Sequence, residues 1–387
     1  MLFYFLCSPT EASALLQFKQ SFGVNSDYSD CFTSFPKTKS WNESRDCCTW
    51  DGVTCDVLNG HIIDLDLSCS QLGGRKISYL SNLVSLDLSV YGLQLDERTF
   101  ETGATNLRGV LTESFFLVTN LERLKLRGND LVRGVFPKIH RSNTLLMELD
   151  ISYTGIFGEL PHSIGTLNIL NLEGCQFSGS IGNLTQITEL ILSLNHFTGH
   201  IPSKLKHLTN LHLSSNSFSG EISDVFSNLQ GLRFLDLFNN SFICSFPSSI
   251  SNLTHFQRLD LSSNSLSSPF PNNASNLQKL TQLDLYDNVL NGTIPSWLFS
   301  LHLLRPFSSL SKNQFSGLPD ELKTNPALIK LDLSNNQLSG SVPQSLVNLT
   351  YLYTLDLSSN NITGPFPASI LSLTHLEYLD FPIWPTA

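Results

Sequence analysis

Residues 259–266 are Leu259-Asp260-Leu261-Ser262-Ser263-Asn264-Ser265-Leu266, and close copies of this stretch recur from residue 65 almost to the end of the 387-residue chain. Between Asn216 and Asn360 the copies follow one another every 23–25 residues. The two leucines of the Leu-Asp-Leu core are two positions apart, so a strand places both on one side and the aspartate on the other. One such strand cannot bury its leucines alone, whereas stacked copies share a continuous core.

The pattern L-x-x-L-x-L-x-x-N/C-x-L with a period of about 20–29 residues is that of a leucine-rich repeat. The Asn lies where the chain turns inward, and its amide donates and accepts hydrogen bonds, so a column of asparagines can satisfy backbone groups that the turn buries. Cys175 and Thr154 take this position in two copies. The sequence therefore predicts a leucine-rich-repeat solenoid, an α/β horseshoe or superhelix with a parallel β-sheet on its concave face and a disulfide-stapled N-terminal cap.

The repeats override the usual expectation of two or three domains for this length. We expect a signal-peptide remnant at residues 1–6, a cap domain at 7–60 and about thirteen repeats at 61–381, with an irregular coil at 92–120. A divergent tail follows at 382–387. Because the signal sequence is short and the last coil has no cap after it, we expect the chain to be an N-terminal fragment of a longer protein.

A helix is predicted after residue 8. Ser8 is the expected N-cap, Pro9 the first helical residue and Glu11 the third, which together form a capping box. The apolar residues that follow fall on one helical face: Ala12, Leu15, Leu16 and Phe22. This helix is expected to cover the open leucine core of the first coil.

Six of the eight cysteines lie in the first 69 residues: Cys7, Cys31, Cys47, Cys48, Cys55 and Cys69. An even, clustered set at one terminus is typical of a disulfide-stapled cap in an oxidising compartment. The alternative is a zinc site, which is disfavoured because no C-x-x-C pair or His partner has ligand spacing. Cys175 and Cys244 are expected to be buried free thiols.

Eight N-x-S/T sequons support secretion and glycosylation: Asn42, Asn183, Asn239, Asn252, Asn273, Asn291, Asn348 and Asn361. The formal net charge of −10 argues against a nucleic-acid surface. No apolar run reaches the roughly 18 residues that a membrane span needs. No G-x-S-x-G, H-E-x-x-H or phosphate-binding G-x-x-x-x-G-K-[ST] motif occurs, so we expect no catalytic residue, metal or cofactor.

Most strands carry Asp between the two leucines: Asp66, Asp87, Asp150, Asp236, Asp260, Asp284, Asp332 and Asp356. Carboxylates about 5 Å apart in adjacent coils would suggest a metal site or raised pKa values. The interpretation that we prefer is a repeat-consensus residue that is solvated and partly hydrogen-bonded. By contrast, the phenylalanines two positions after the Asn column are predicted to form a core spine: Phe177, Phe197, Phe218, Phe242 and Phe315.

Departures from the consensus on the concave face are the candidate ligand-binding residues. Arg123, Lys125 and Arg127 make one basic strand. Farther along, apolar, aromatic or imidazole side chains replace small polar ones: Ile191, His212, Phe234, Phe238 and Tyr286. Exposed aromatics and arginines are enriched in protein interfaces. The alternative is ordinary drift on a tolerant surface, and the sequence leaves both interpretations open.

Several segments resemble plant extracellular leucine-rich repeats. Gly292-Thr293-Ile294-Pro295 and Gly199-His200-Ile201-Pro202 are similar to the G-x-I-P signature of that class, in which the segment forms a second short strand on the flank of the coil. The stretch Cys47-Cys48-Thr49-Trp50-Asp51-Gly52-Val53-Thr54-Cys55 resembles its N-terminal cap. The long loop around Cys31 and the Leu65–Ser70 strand are similar to disease-resistance receptor-like proteins of the tomato Cf type. This resemblance implies the disulfides Cys7–Cys47, Cys48–Cys55 and Cys31–Cys69.

The resemblance also implies a non-enzymatic recognition module on the extracellular side of the plasma membrane, reached through the secretory pathway. Its ligand would be a pathogen-derived protein or peptide in defence signalling, and a co-receptor or adaptor kinase would transmit the signal. Attachment to the membrane would require a C-terminal helix that the printed sequence lacks. The alternatives are a secreted polygalacturonase inhibitor, which resembles the same repeats but is shorter and carries a second cysteine cap, and an ectodomain fragment of a receptor kinase.

Overall fold

The structure is a computed structural model of the chain. It describes residues 7–20, 23–24, 37–68, 72–73, 83–89, 110–111, 120–138, 145–161, 164–181, 184–222, 229–243, 245, 248–271, 273–274, 276–304, 309–364 and 367–382. The chain divides into two compact units. Unit one comprises Met1–Ile187 and Ile191–His196, and unit two comprises Thr188–Leu190 and Phe197–Ala387.

Short strands follow one another along the described chain after helix α1 (Pro9–Gln20). The Leu-x-Leu segments and the two strands that begin the series are β2 (Val53–Cys55), β3 (Ile62–Asp66), β5 (Ser85–Asp87), β6 (Arg123–Lys125), β8 (Glu148–Asp150), β10 (Ile169–Asn171), β12 (Glu189–Ile191), β14 (Asn210–His212), β16 (Phe234–Asp236), β18 (Arg258–Asp260), β20 (Gln282–Asp284), β23 (Lys330–Asp332), β25 (Thr354–Asp356) and β27 (Tyr378–Asp380).

A second series begins shortly after the Asn column. It contains β7 (Arg133–Val135), β9 (Gly155–Glu159), β11 (Gln176–Gly179), β13 (His196–Gly199), β15 (Ser217–Gly220), β17 (Ser241–Phe242), β19 (Ser267–Ser268), β21 (Val289–Thr293), β22 (Gln314–Gly317), β24 (Ser339–Gly340) and β26 (Asn361–Ile362). These are the flanking strands that the G-x-I-P signature predicted. A further pair, β1 (Gly23–Val24) and β4 (Leu72–Gly73), is antiparallel.

Within each unit the Leu-x-Leu strands are parallel and in register. In unit two Leu235, Leu259 and Leu283 are successive partners. In unit one Leu65 pairs with Leu86, which pairs in turn with Leu124. Both leucines of a typical strand, such as Leu259 and Leu261, are fully buried, and each contributes about 1.5–3 kcal/mol through the apolar area that it removes from water. The predicted parallel β-solenoid is confirmed.

The Asn column behaves as the residue chemistry predicts. The Asn264 amide donates to the carbonyl oxygen of Leu261 in its own coil (3.1 Å) and to that of Leu237 in the preceding coil (2.9 Å). Its Oδ1 accepts the backbone N–H of Phe242 (3.1 Å). In unit one, the Thr154 hydroxyl and the Cys175 thiol both donate to the Ile151 carbonyl oxygen instead (2.7 and 3.1 Å). Cys175 is a buried free thiol, as predicted.

The residue before the column adopts the left-handed backbone conformation. Gly128 and Gly174 do so at little cost, since they lack Cβ. Larger residues take the same conformation elsewhere, for example Tyr153 (φ 54°), Leu194 (φ 59°) and Lys312 (φ 51°). The consensus pattern alone does not predict this left-handed residue.

The predicted phenylalanine spine is confirmed, because all five rings are completely buried. In unit two the rings of Phe197 and Phe218 stack with centroids 6.1 Å apart, and those of Phe218 and Phe242 are 6.5 Å apart. Leu266 and Leu290 occupy the spine in the next two coils. Phe270 fills the space beside them and stacks on Phe315 at 5.5 Å.

The N-terminal cap contains two of the three predicted disulfides, Cys7–Cys47 and Cys48–Cys55. Helix α1 begins at Pro9, as expected, and buries Leu15 and Phe18. Its apolar face differs from the predicted one, since Ala12 and Leu16 are only half-buried. The buried Glu11 carboxylate reaches β3, where Oε2 lies 3.3 Å from both His61 Nδ1 and the Ile62 backbone nitrogen. This contact ties α1 to the first coil.

Several predictions concern residues outside the described part of the chain. These are the signal-peptide remnant at 1–6, the Cys31–Cys69 disulfide, the Cys244 thiol, nearly all of the irregular coil at 92–120 and residues 383–387 of the tail. In the imperfect copy at 305–310, Ser309 bridges Asp284 and Asp332 in the strand ladder. The domain boundaries thus stay predictions.

The substitution Asn264→Ala tests the column. It leaves the carbonyl groups of Leu237 and Leu261 and the N–H of Phe242 without partners, so we expect a loss of about 2–3 kcal/mol in the free energy of unfolding. Urea denaturation followed by circular dichroism measures it. The matched control is Gln337→Ala, which removes an exposed amide and should change the free energy by less than about 0.5 kcal/mol. Equal denaturation midpoints for the two variants would contradict the assigned role.

Candidate functional site

The strands of the first series present one exposed side, which we call the strand face. It consists of the residues that flank the buried leucines, such as Phe234 and Asp236 on either side of Leu235. These side chains are half-buried while the leucines between them are inaccessible. The backbone under them is held by the parallel ladder, so the strand face offers rigidly spaced positions about 4.8 Å apart between neighbouring coils.

The aspartates of the strand face serve the turn that follows each strand. The Asp260 Oδ1 accepts hydrogen bonds from the Ser262 backbone nitrogen (3.1 Å) and the Ser262 hydroxyl (2.5 Å). The same pair of bonds recurs at Asp66, Asp150, Asp332 and Asp356. The arrangement agrees with the interpretation of these residues as hydrogen-bonded consensus positions.

The surroundings of each carboxyl group decide its pKa. Burial, with the charge of Asp236 beside it, raises the pKa of Asp260 despite the Ser262 hydrogen bonds. Burial raises the pKa of Asp284 to about 6, because Tyr286 supplies only a backbone donor and Asp260 lies beside it. The pKa of Asp236 is lowered, since the neighbouring His212 imidazole and the hydrogen bond from the Phe238 backbone N–H outweigh the effect of its burial.

Asp284→Asn therefore has a predicted pH dependence. The pKa of Asp284 is about 6 in the folded chain against an ordinary value of 3.8, so ionisation lowers the free energy of unfolding. This effect is complete above pH 6 and disappears as the pH falls towards 4. At pH 7 the variant should be more stable by about 1 kcal/mol, allowing for solvent screening of a half-buried group. Thermal denaturation between pH 4 and 7 measures the difference.

Asn171 shows that an amide fits this position, since its Oδ1 accepts the Glu173 backbone N–H at 3.0 Å. The control is Asp236→Asn, where the lowered folded-state pKa predicts the opposite sign, a loss of stability at pH 7 that shrinks at acid pH. A stability difference for Asp284→Asn that stays constant from pH 4 to 7 would rule out the titration.

The predicted basic strand lies in unit one and is partly neutralised. Arg123 is exposed. Lys125 Nζ lies 2.8 Å from Glu148 Oε1 in the adjacent strand, and the guanidinium of Arg127 lies 5.2 Å from the centre of the Tyr153 ring. Ile191, the other candidate in this unit, is half-buried at the end of β12. The basic strand therefore already has an acidic and an aromatic neighbour, which sequence analysis did not identify.

In unit two the remaining candidates lie on or just after three strands, β14, β16 and β20. His212 Nδ1 is 3.9 Å from Asp236 Oδ2. Phe234 stands between Asn210 and Arg258 in the ladder, and Phe238 is 39% exposed. Tyr286, two coils from Phe238, packs under Lys312, whose Nζ is 4.8 Å from the ring centre. Phe234, Phe238 and Tyr286 thus lie within three successive coils of the strand face.

A second exposed aromatic group in unit two was not predicted. Tyr351, Tyr353 and Tyr378 are each about half exposed. Tyr351 stacks on His375 at 5.6 Å, and the Tyr353 hydroxyl donates to Glu377 at 2.6 Å. Comparison with earlier coils could have indicated these residues. The three tyrosines precede or begin a strand, whereas earlier coils carry polar residues before the strand: Arg233, Gln257, Lys279 and Thr281.

Six sequon asparagines are exposed in the described chain: Asn42, Asn239, Asn252, Asn273, Asn291 and Asn361. Asn183 lies outside the described residues. Asn348 differs, because it is half-buried and its Nδ2 donates to the Leu322 carbonyl oxygen at 2.8 Å. A glycan at Asn348 would have to compete with this contact, whereas the exposed sequons have room for one.

In the described residues, one group of side chains has the proximity of a metal site: Cys7, Asp46, Cys47 and Cys48. All three sulfurs are held in disulfides, and the Asp46 carboxylate accepts the backbone N–H groups of Cys7 and Cys48. These disulfides and hydrogen bonds therefore stabilise the cap.

Within the part of the chain that the structure describes, no helix has the length and apolar character of a membrane span.

Comparisons with known proteins agree with this architecture. Residues 8–56 match the leucine rich repeat N-terminal domain. Residues 207–229, 231–253, 255–277 and 279–301 each match a leucine rich repeat, and residues 309–362 match a related repeat model. The chain is 33% identical to receptor-like protein Cf-9 of Solanum pimpinellifolium over 49% of its own length and 26% of that protein.

Receptor-like protein 6 of Arabidopsis thaliana is 32% identical over 64% of this chain and 27% of its own length. Among solved structures, the ectodomain of the Arabidopsis receptor kinase HAESA, in complex with an extended IDA peptide hormone, superposes with a TM-score of 0.70. It is 28% identical, and the match covers 95% of this chain and 64% of that one. The chain spans about a quarter of the length of these two curated relatives.

Proposed function

We infer that this chain, which belongs to the leucine-rich-repeat receptor-like proteins of plants, is a non-enzymatic extracellular module that recognises a protein or peptide ligand. The observation that carries the proposal is the strand face, where a rigid ladder holds side chains that depart from the consensus. Most coils place Asp and Ser there, whereas unit two places Phe234 and Phe238 in one coil and Tyr286 two coils farther on.

The chemistry of this surface suits a protein or peptide. Aromatic side chains supply large contact areas at low entropic cost, and hot spots of binding are enriched in them. Phe238 and Tyr286 are two strands apart, which is roughly 10 Å, so one short peptide segment can contact both. The basic strand Arg123, Lys125 and Arg127 of unit one would contribute charge to the same kind of recognition.

We further propose that the ligand is pathogen-derived or an endogenous peptide in defence signalling, and that a co-receptor or adaptor kinase carries the signal. Support comes from the relatives, which are receptor-like proteins, and from HAESA, a receptor kinase whose structure holds a peptide hormone. The curated relatives are receptor-like proteins, so they do not favour the polygalacturonase-inhibitor and receptor-kinase alternatives. The extracellular location is part of the proposal.

The experiment is a selection of phage-displayed random dodecapeptides on the secreted, glycosylated chain, followed by affinity measurements on synthetic versions of the enriched peptides. We expect Phe238→Ser or Tyr286→Ser to weaken binding at least about tenfold, or 1.4 kcal/mol. Phe157→Ser is the matched control, because Phe157 is similarly exposed (42%) but lies on a flanking strand.

Peptides whose affinity falls only in the Phe157 variant would contradict recognition by the strand face. Stoichiometric inhibition of a purified polygalacturonase would instead favour the inhibitor function.

A further inference from the structure

A groove of about 440 Å³ lies in unit one, on the flank of the coils. It lies where the chain passes from the Asn column into β7, β9 and β11. Its walls are Asp130, Arg133, Tyr153, Thr154, Gly155, Phe157, Gly174 and Gln176. Three successive coils contribute to it, and none of its residues belongs to a strand of the first series. The groove is therefore separate from the proposed ligand surface.

Two glycines shape the groove. A Cβ on Gly174, whose φ is +66°, would come within 2.5 Å of the Tyr153 ring. A Cβ on Gly155 would overlap the stem of Arg133 and approach the Asp130 carbonyl oxygen at 3.0 Å. The missing side chains let the ring and the stem lie flat on the next coil. Both side chains are thus positioned by packing before any ligand arrives.

The groove holds hydrogen-bonding groups without partners. Arg133 Nε donates to the Asp130 carbonyl oxygen at 3.1 Å, which orients the guanidinium. In the described part of the chain, the two terminal nitrogens of Arg133 make no hydrogen bond or ion pair, and neither does the Asp130 carboxylate or the Gln176 amide. The groove therefore presents free donors, free acceptors and one amide that can do both.

Apolar surface accompanies these polar groups. Phe157 is 42% exposed. The Arg127 guanidinium lies over the Tyr153 ring, 5.2 Å from the ring centre. An aromatic ring offers a flat apolar face that suits a flat apolar ligand face. A purely apolar ligand would bury the free polar groups without partners, which is costly. The negative charge of Asp130 disfavours an anionic ligand. The positive charges of Arg133 and Arg127 disfavour a cationic ligand.

The backbone argues against an extended peptide. β9 lies between β7 and β11 and is paired with both, and the Gly155 N–H donates to the Val132 carbonyl oxygen at 2.9 Å. β9, in the middle of the groove floor, therefore has no unpaired edge to which a peptide could add by main-chain hydrogen bonds.

We propose that this groove binds a neutral oligosaccharide. A pyranose ring has hydroxyl groups that both donate and accept, and an apolar C–H face that packs on an aromatic ring. The hydroxyl groups complement the polar side chains of Arg133, Asp130 and Gln176. The C–H face complements the rings of Phe157 and Tyr153. Recognition would place one sugar on the Phe157 face, with hydroxyl groups bridging the guanidinium and the carboxylate. The proposal does not depend on the ligand of the strand face.

The test is isothermal titration of the full chain with four neutral tetrasaccharides, made of β-1,4-glucose, β-1,3-glucose, β-1,4-xylose and β-1,4-N-acetylglucosamine, and with anionic tetragalacturonate. We expect at least one neutral tetramer to bind and tetragalacturonate to bind more weakly. Phe157→Ala and Arg133→Ala should each weaken binding about tenfold. Arg133→Lys should also weaken it, because lysine keeps the charge but loses the planar fork.

Phe238→Ala and Arg123→Ala are matched controls, since they remove an exposed Phe and an exposed Arg outside the groove. They should leave sugar affinity unchanged, and unaltered circular dichroism spectra verify that each variant folds. Four results would overturn the proposal: no neutral tetramer binding at millimolar concentration, preference for tetragalacturonate, equal loss in groove and control variants, or selected peptides whose affinity depends on Phe157. A failure of the peptide selection leaves the sugar result unaffected, so the two proposals are separable.

Discussion

The hydrogen bonds of the Asn column are the interaction on which the rest of the structure depends. The described coils turn carbonyl groups inward after the second leucine, where water cannot reach them. The amide of Asn264 satisfies Leu261 in its own coil and Leu237 in the preceding coil, and its oxygen accepts Phe242 N–H. A coil is thus complete only when its successor is in place. This dependence couples neighbouring repeats more strongly than apolar contact alone.

The same turn explains several prominent surface side chains. Inward placement of the Asn requires a left-handed residue before it, a conformation that costs an L-residue roughly 1 kcal/mol. Where the chain uses Tyr153 or Lys312 there, the side chain projects outward and gains contacts, with Arg127 and Gly174 in one case and Tyr286 in the other. Residues whose backbone conformation is required by the turn thereby also contribute exposed side chains to the surface.

The sequence predicts the structural features that repeat within one coil. It predicts few of the side-chain contacts between neighbouring coils. The buried leucines, the Asn column, the phenylalanine spine and two cap disulfides follow from local pattern and from resemblance. The pairing of Lys125 with Glu148 and of Arg127 with Tyr153 does not, because the partners come from the next coil and their side-chain directions depend on its turn. Glu11 illustrates the same limit. A residue expected to cap its own helix contacts His61, 50 positions away.

Thr154 and Cys175 are consecutive rungs of the column in which a single hydroxyl or thiol replaces the amide. Each satisfies fewer backbone groups than Asn264 does, so transient local opening costs less free energy at these two coils than at the coils of Asn129 and Asn195. Their backbone amides would then exchange with solvent deuterium ahead of those beside Asn129 or Asn195. The flank groove spans both weak rungs, and any occupant that bridges Arg133, Phe157 and Gln176 would slow that exchange by holding three coils together.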